Sequence, residues 1–214
     1  MYSQRALNYP APGKGRELRA VLEERVKTEQ AKGRAITLAM QVFGGAEGNA
    51  YTLNIRHQDL ASFEAMRGQN QSDPAFGAFQ AKIGVLLIRP VVTQLSEVLI
   101  PFPANPAPKA PFYVQRALNY PAQGKGPELR ALLEERVKGV QSSGQPASLS
   151  ASVYGSDGPI FITALSFQDL AALESYRRRN QADPRFQAFG VKLNPLVRQV
   201  TRVELFEALI AMPS

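Results

Sequence analysis

Leu18, Val21, Leu22 and Val26 recur at helical spacing, and so do Leu129, Leu132, Leu133, Val137 and Val140 later in the chain. Gly33 and Gly144 close these two helices, and Pro127 stands at the first helical position of the second. Downstream the period changes from helical to alternating. Ile36, Leu38, Met40 and Val42 alternate with Thr37, Ala39, Gln41 and Phe43, while Leu149, Ala151 and Val153 alternate with Ser148, Ser150 and Ser152. One face of such strands is apolar and the other small and polar, as in a sheet covered by helices on one side. The polar face either meets water or looks across a wet gap at a second sheet.

The remaining elements follow from the same signals. Short strands are expected over 3–9 and 113–120. Paired strands are expected over 35–43 and 50–56, and over 147–154 and 160–165. Gly44-Gly45-Ala-Glu-Gly48 and Gly155-Ser-Asp-Gly158 make the hairpin turns. A second helix runs from Gln58 or Gln168 to an Asp-Pro. A shorter one covers 76–88 or 186–197, and a last strand covers 91–100 or 200–210. The order is βαββαβ, twice.

The two passes are a repeat. Gln4-Arg-Ala-Leu-Asn-Tyr-Pro-Ala11 returns letter for letter as Gln115 to Ala122, and Glu23-Glu-Arg-Val-Lys27 returns as Glu134 to Lys138. The offset is 111 up to Val42 and Val153, and 110 from Gln58 and Gln168 onward. One residue is therefore lost between Val153 and Gln168. A match over the whole unit is a duplicated domain rather than a solenoid repeat. Units 1–100 and 112–214 are joined by the Pro-rich segment 101–111, which reads as a semi-rigid extended linker.

Composition narrows the chemistry. The 214 residues include no Cys and a single His, which excludes disulfides, thiolate metal sites and Cys nucleophiles. No metal site and no cofactor is expected. No apolar run reaches the roughly 20 residues of a membrane helix, and the N-terminus lacks a secretory pattern, so a cytoplasmic location is expected. Net charge is +7, but the basic residues are scattered apart from Arg177-Arg178-Arg179, which favours a solvated surface over an anionic partner.

Two βαββαβ units with Gly-Lys-Gly before the first helix resemble the dimeric α+β barrel superfamily. The stretch from Phe167 to Phe189, with Asp183-Pro184 inside it, is similar to the NIPSNAP family, and Asp73-Pro74 with Phe76 matches in the first unit. The resemblance implies two ferredoxin-like sheets packed face to face as a pseudo-dimeric barrel, with further homo-oligomers open. It also implies a small-molecule-binding protein, in some members a cofactor-independent oxygenase or isomerase. Two alternatives stay open: a non-catalytic structural or assembly protein, and an RNA-binding module of the same element order. The third strands, Asn49–Arg56 and Pro159–Leu165, lack the basic-Gly-aromatic run that RNA recognition needs.

Candidate site residues come from strand parity. Arg5, Leu7 and Tyr9 share a face, as do Arg116, Leu118 and Tyr120; Glu97 and Glu207 sit between leucines on the last strands. Arg5, Tyr9, Glu97, Arg116, Tyr120 and Glu207 are therefore expected to bind a small polar molecule inside the barrel, a carboxylate beside a cation and a phenol. The plain alternative is an Arg–Glu pair that supports the sheet. The Gly13-Lys14-Gly15 and Gly124-Lys125-Gly126 turns read as tight connections or, at a helix start, as anion contacts. His57, opposite Phe167 in the repeat, is either structural or a base or ligand held in one unit only.

Overall fold

A computed structural model of the chain describes residues 1–44, 49–103, 109–156 and 158–212. The elements of the first unit are β1 (Tyr2–Asn8), α1 (Gly15–Ala31), β2 (Ile36–Phe43), β3 (Tyr51–His57), α2 (Leu60–Ser72), α3 (Pro74–Gly84) and β4 (Val92–Ile100). Those of the second are β5 (Phe112–Asn119), α4 (Gly126–Ser142), β6 (Ala147–Tyr154), β7 (Phe161–Phe167), α5 (Leu170–Ala182), α6 (Pro184–Leu193) and β8 (Arg202–Ile210), with a 3-10 turn over Asn194–Leu196. The third helices start earlier than periodicity suggests. Asp73 and Asp183 each accept a hydrogen bond from the backbone two residues on, which fixes Pro74 and Pro184 in the first turn. The strand pair β6–β7 has the shorter connection, so the lost residue lies in that turn. Residues 45–48, 104–108 and 157 of the expected hairpin turns and linker lie outside the described residues.

All eight strands form one antiparallel closed barrel in the order β1-β3-β2-β8-β5-β7-β6-β4. Instead of two sheets facing each other across a gap, the units join edge to edge. β2 pairs with β8, and β4 pairs with β6. The physical reason is that an open edge strand leaves a row of backbone N–H and C=O groups unpaired, and closure removes both edges. The last strand of each unit also completes the other unit's core. Leu209 and Ile210 pack on the cluster of Leu18, Leu22 and Leu38, while Leu99 and Ile100 pack on that of Leu129, Leu133 and Leu149. Gln30 Nε2 donates to the Ile36 and Ala211 carbonyls, and Gln141 Nε2 to those of Pro101 and Ala147. Each first helix thus holds the strand end of the opposite unit.

Two glycines make the seams possible. Gly44 has φ +86° and Gly155 φ +80°, and an added Cβ would lie 2.2 Å from the Val203 and Thr93 carbonyl oxygens respectively. Both contacts are to backbone across the seam, so the strands themselves would have to part. Gly44→Ala or Gly155→Ala is expected to destabilise the chain by roughly 2–3 kcal/mol through strain and lost pairing. Denaturant midpoints for both variants check this, with Gly68→Ala, which meets nothing within 4 Å, as the comparison.

Candidate functional site

Strand alternation sends one side chain in two into the barrel. Register places Arg5 beside Asn54 and Gln94, and Arg116 beside Ala164 and Glu204. At the centre one carboxylate serves both arginines. Glu204 Oε2 accepts a hydrogen bond from Arg116 Nη1 at 3.1 Å and lies 3.6 Å from Arg5 Nη1. The side chains of Arg5, Arg116 and Glu204 are 8%, 14% and 6% exposed. Phe206 lies under both guanidiniums, with Arg5 Cζ 4.4 Å and Arg116 Cζ 5.9 Å from its ring centre. Burial lowers the Arg116 pKa, and the charge of Glu204 opposes that shift. Two arginines therefore share one glutamate inside the barrel, an Arg–Glu pairing as in the plain alternative, but with Glu204 in place of Glu97 or Glu207.

The six residues singled out from sequence separate into three groups. Arg5 and Arg116 enter the lumen. Tyr9 and Tyr120 lie just beyond the ends of β1 and β5, half-buried, with Arg89 Cζ 3.6 Å above the first ring and Arg198 Cζ 5.5 Å above the second. Glu97 and Glu207 do not join them. They stand opposite Tyr2 and Tyr113, one residue out of phase with Gln94 and Glu204, and so project from the outer surface. Glu97 is exposed, while half-buried Glu207 adds its charge to that of Arg19 on α1. Sequence reasoning chose the glutamates that both units share, whereas the carboxylate inside the barrel is the one they do not: Glu204 stands where the first unit has Gln94. The available signal lay within β8, where Glu204 alternates with Leu205 and Leu209 and so takes the face opposite to theirs.

A cavity of about 540 Å³ opens where β1 runs into α1, lined by Tyr9, Gly13, Gly15, Asn49 and Ile88. A Cβ on Gly15 would meet the Tyr51 hydroxyl at 4.0 Å, so this phenol stands just behind the cavity wall. Burial raises the Tyr51 pKa, with Arg19 opposing. The units differ here: the second has Pro159, Phe161 and Arg198 where the first has Asn49, Tyr51 and Ile88. Lys14 and Lys125 bond the first-turn acids Glu17 and Glu128 instead of reaching into a site. Arg177, Arg178 and Arg179 are exposed on α5, and Arg178 pairs with Glu174.

His57 is buried at the end of β3. Its Nε2 lies 3.2 Å from Gln4 Oε1, and its ring meets the Phe63 ring edge-on at 5.3 Å. Burial, with Arg34 adding to it, lowers the His57 pKa. The unfolded chain therefore binds this proton more readily than the folded one. Stability is expected to be intact above about pH 6.5 and to fall as pH drops below that value. Denaturation midpoints between pH 5 and 7 measure the slope, which should flatten in His57→Phe, the residue present at the matching position Phe167. Among the described residues no three His, Asp or Glu side chains cluster as metal ligands, and no helix is long and apolar enough to cross a membrane.

With this geometry the chain can be placed among solved structures. A candidate monooxygenase from Fusobacterium nucleatum matches with a TM-score of 0.72 at 10% identity, over 97% of this chain and 92% of that one. The chain shares its α+β barrel fold. A candidate monooxygenase from Lactobacillus acidophilus matches with a TM-score of 0.66 at 10% identity, covering 99% and 97% of the two chains. An anthrone oxidase-like protein gives 0.62 at 16% identity, covering 97% and 90%. At these identities the likeness is one of fold alone. No protein-family model matches the chain, and no curated protein matches it.

Proposed function

We propose that this chain is a small-molecule-binding dimeric α+β barrel in which two fused ferredoxin-like units, 1–100 and 112–214, stand in for two subunits. The cavity beside Tyr9 carries the reading. It is an open surface depression in which Tyr9, Asn49 and the helix start at Gly15 come together. The names of the structural neighbours, two candidate monooxygenases and an anthrone oxidase-like protein, support an oxygenase-like activity on a small molecule, and a cofactor-independent oxygenase or isomerase is the form of it proposed here. Tyr9 would donate a hydrogen bond from its hydroxyl to a carbonyl oxygen of the ligand, with its ring held under Arg89. The strand order within each unit, β4-β1-β3-β2 and β8-β5-β7-β6, supports the ferredoxin-like assignment. The NIPSNAP-like assignment rests on the Asp-Pro stretches alone.

A thermal-shift screen of small phenols, enones and lactones, with oxygen uptake recorded for each hit, tests this. At least one compound should bind at one per chain and lose tenfold or more in affinity in Tyr9→Phe, while Tyr120→Phe leaves it unchanged. Equal effects from the two substitutions, or hits indifferent to Tyr9→Ala, would remove this cavity as the site.

A further inference from the structure

The lumen cluster is out of charge balance. Arg5 and Arg116 are both buried, and Glu204 is the one carboxylate that touches either among the described residues. Arg202 does not restore the balance: it adds a third cation, divided between Glu204 Oε1 at 3.3 Å and the Gly44 carbonyl at 3.2 Å. The shortfall falls on Arg5. Its Nη1 is 3.6 Å from Glu204 Oε2, an ion contact longer than a hydrogen bond, and its Nη2 is buried with no hydrogen-bond partner among the described residues. Phe206 covers one face of the guanidinium. Directly opposite Arg5 on the neighbouring strands stand two neutral amides, Asn54 and Gln94, both only partly buried.

We propose that the barrel holds a small monoanion, of halide, nitrate or formate size, between Arg5 Nη2 and the side-chain amide of Gln94. The buried trio of Arg5, Arg116 and Glu204 carries a single net positive charge, which one monovalent anion offsets, while the charge of Arg202, whose side chain is 39% exposed, is screened by water. A buried guanidinium that shares its carboxylate with a second arginine and keeps an unpartnered Nη2 favours a further anion. Gln94 can turn an N–H₂ toward an anion, as a carboxylate at position 94 could not, whereas Asn54 Nδ2 already donates to the Thr37 and Thr52 hydroxyls at 3.3 and 3.5 Å. The second unit solves the same problem covalently, with Glu204 at the position matching Gln94. One half of the barrel thus carries its own anion and the other takes one from solution. The site is distinct from the Tyr9 cavity, so either can fail without the other.

The test uses the full-length chain in potassium gluconate, an anion much larger than those proposed, exchanged at fixed ionic strength for formate, chloride, bromide or nitrate. In the unmodified protein at least one small anion at 0.2 M should raise the thermal midpoint by about 2–4 °C. Crystals soaked in bromide should show an anomalous peak within about 4 Å of the Arg5 guanidinium. Gln94→Glu installs the missing carboxylate, and should raise the midpoint in gluconate and abolish the response to small anions. Should that variant not fold, Arg5→Met serves instead and should also lose the response. No anion response in the unmodified protein, the same response in the variants, or bromide bound only elsewhere would overturn the proposal.

Discussion

Glu204→Gln is expected to be among the most damaging single substitutions in this chain. It leaves Arg5 and Arg116 buried with Phe206 between them and no carboxylate in contact with either. Breaking a buried ion pair by removing one partner costs about 3–5 kcal/mol, because the remaining charge is still out of water. At roughly 2–4 °C per kcal/mol for a chain of this size, the midpoint should drop by about 6–20 °C. The same carboxylate placed one unit away should repair much of the loss. Gln94 faces Arg5 across β1 and β4 as Glu204 faces Arg116 across β5 and β8. The double variant Glu204→Gln, Gln94→Glu should therefore recover at least half of the stability. A loss below about 1 kcal/mol in the single variant, or no recovery in the double, would show that the cluster is not what holds the centre of the barrel.

Neither half should exist as a stable folded monomer. Cutting the chain between the units exposes the edges of β2 and β4, or of β6 and β8, and strips Leu209 and Ile210, or Leu99 and Ile100, from the core they complete. Each half should therefore unfold or pair with a second copy of itself, regenerating a closed barrel. The two homodimers are not equivalent. A pair of second halves brings two Arg116 and two Glu204 to the lumen, in balance. A pair of first halves brings two Arg5 and two Gln94, two buried cations with no carboxylate. Sedimentation of residues 109–212 and of residues 1–103 should show the former associating at least tenfold more tightly. A monomeric half with a cooperative, full-height unfolding transition would refute the interdependence of the units.

The elements themselves were legible because they depend on short-range periodicity. The helical stripe Leu18–Val26 packs on the alternating strand Ile36–Met40, as its spacing requires, and the residues on each face of β2 were assigned correctly from parity alone. The repeat told which elements would be alike. It brought out Arg5, Arg116 and Tyr9, but with them two glutamates that face away from the lumen. Glu97 and Glu207 are shared, yet face outward; Gln94 and Glu204 differ, and face the lumen. The same holds at the cavity, where Tyr51 and Asn49 of the first unit have become Phe161 and Pro159 in the second.

The order of elements, their burial faces and the likeness of the two halves could all be read along the chain, since each rests on residues two to four positions apart or on direct identity. How the two units meet was decided only in three dimensions. Pairing of β2 with β8 and of β4 with β6 depends on backbone groups that every residue carries, so no side-chain pattern announces it, and the Gly44 and Gly155 contacts that permit it are to backbone from the other unit. The convergence of Arg5 and Arg116 on one glutamate follows from that closure. Residues 5, 116 and 204 belong to strands whose separation in sequence says nothing of their distance across a barrel, and a one-residue change of register would have sent Glu207 inward in place of Glu204.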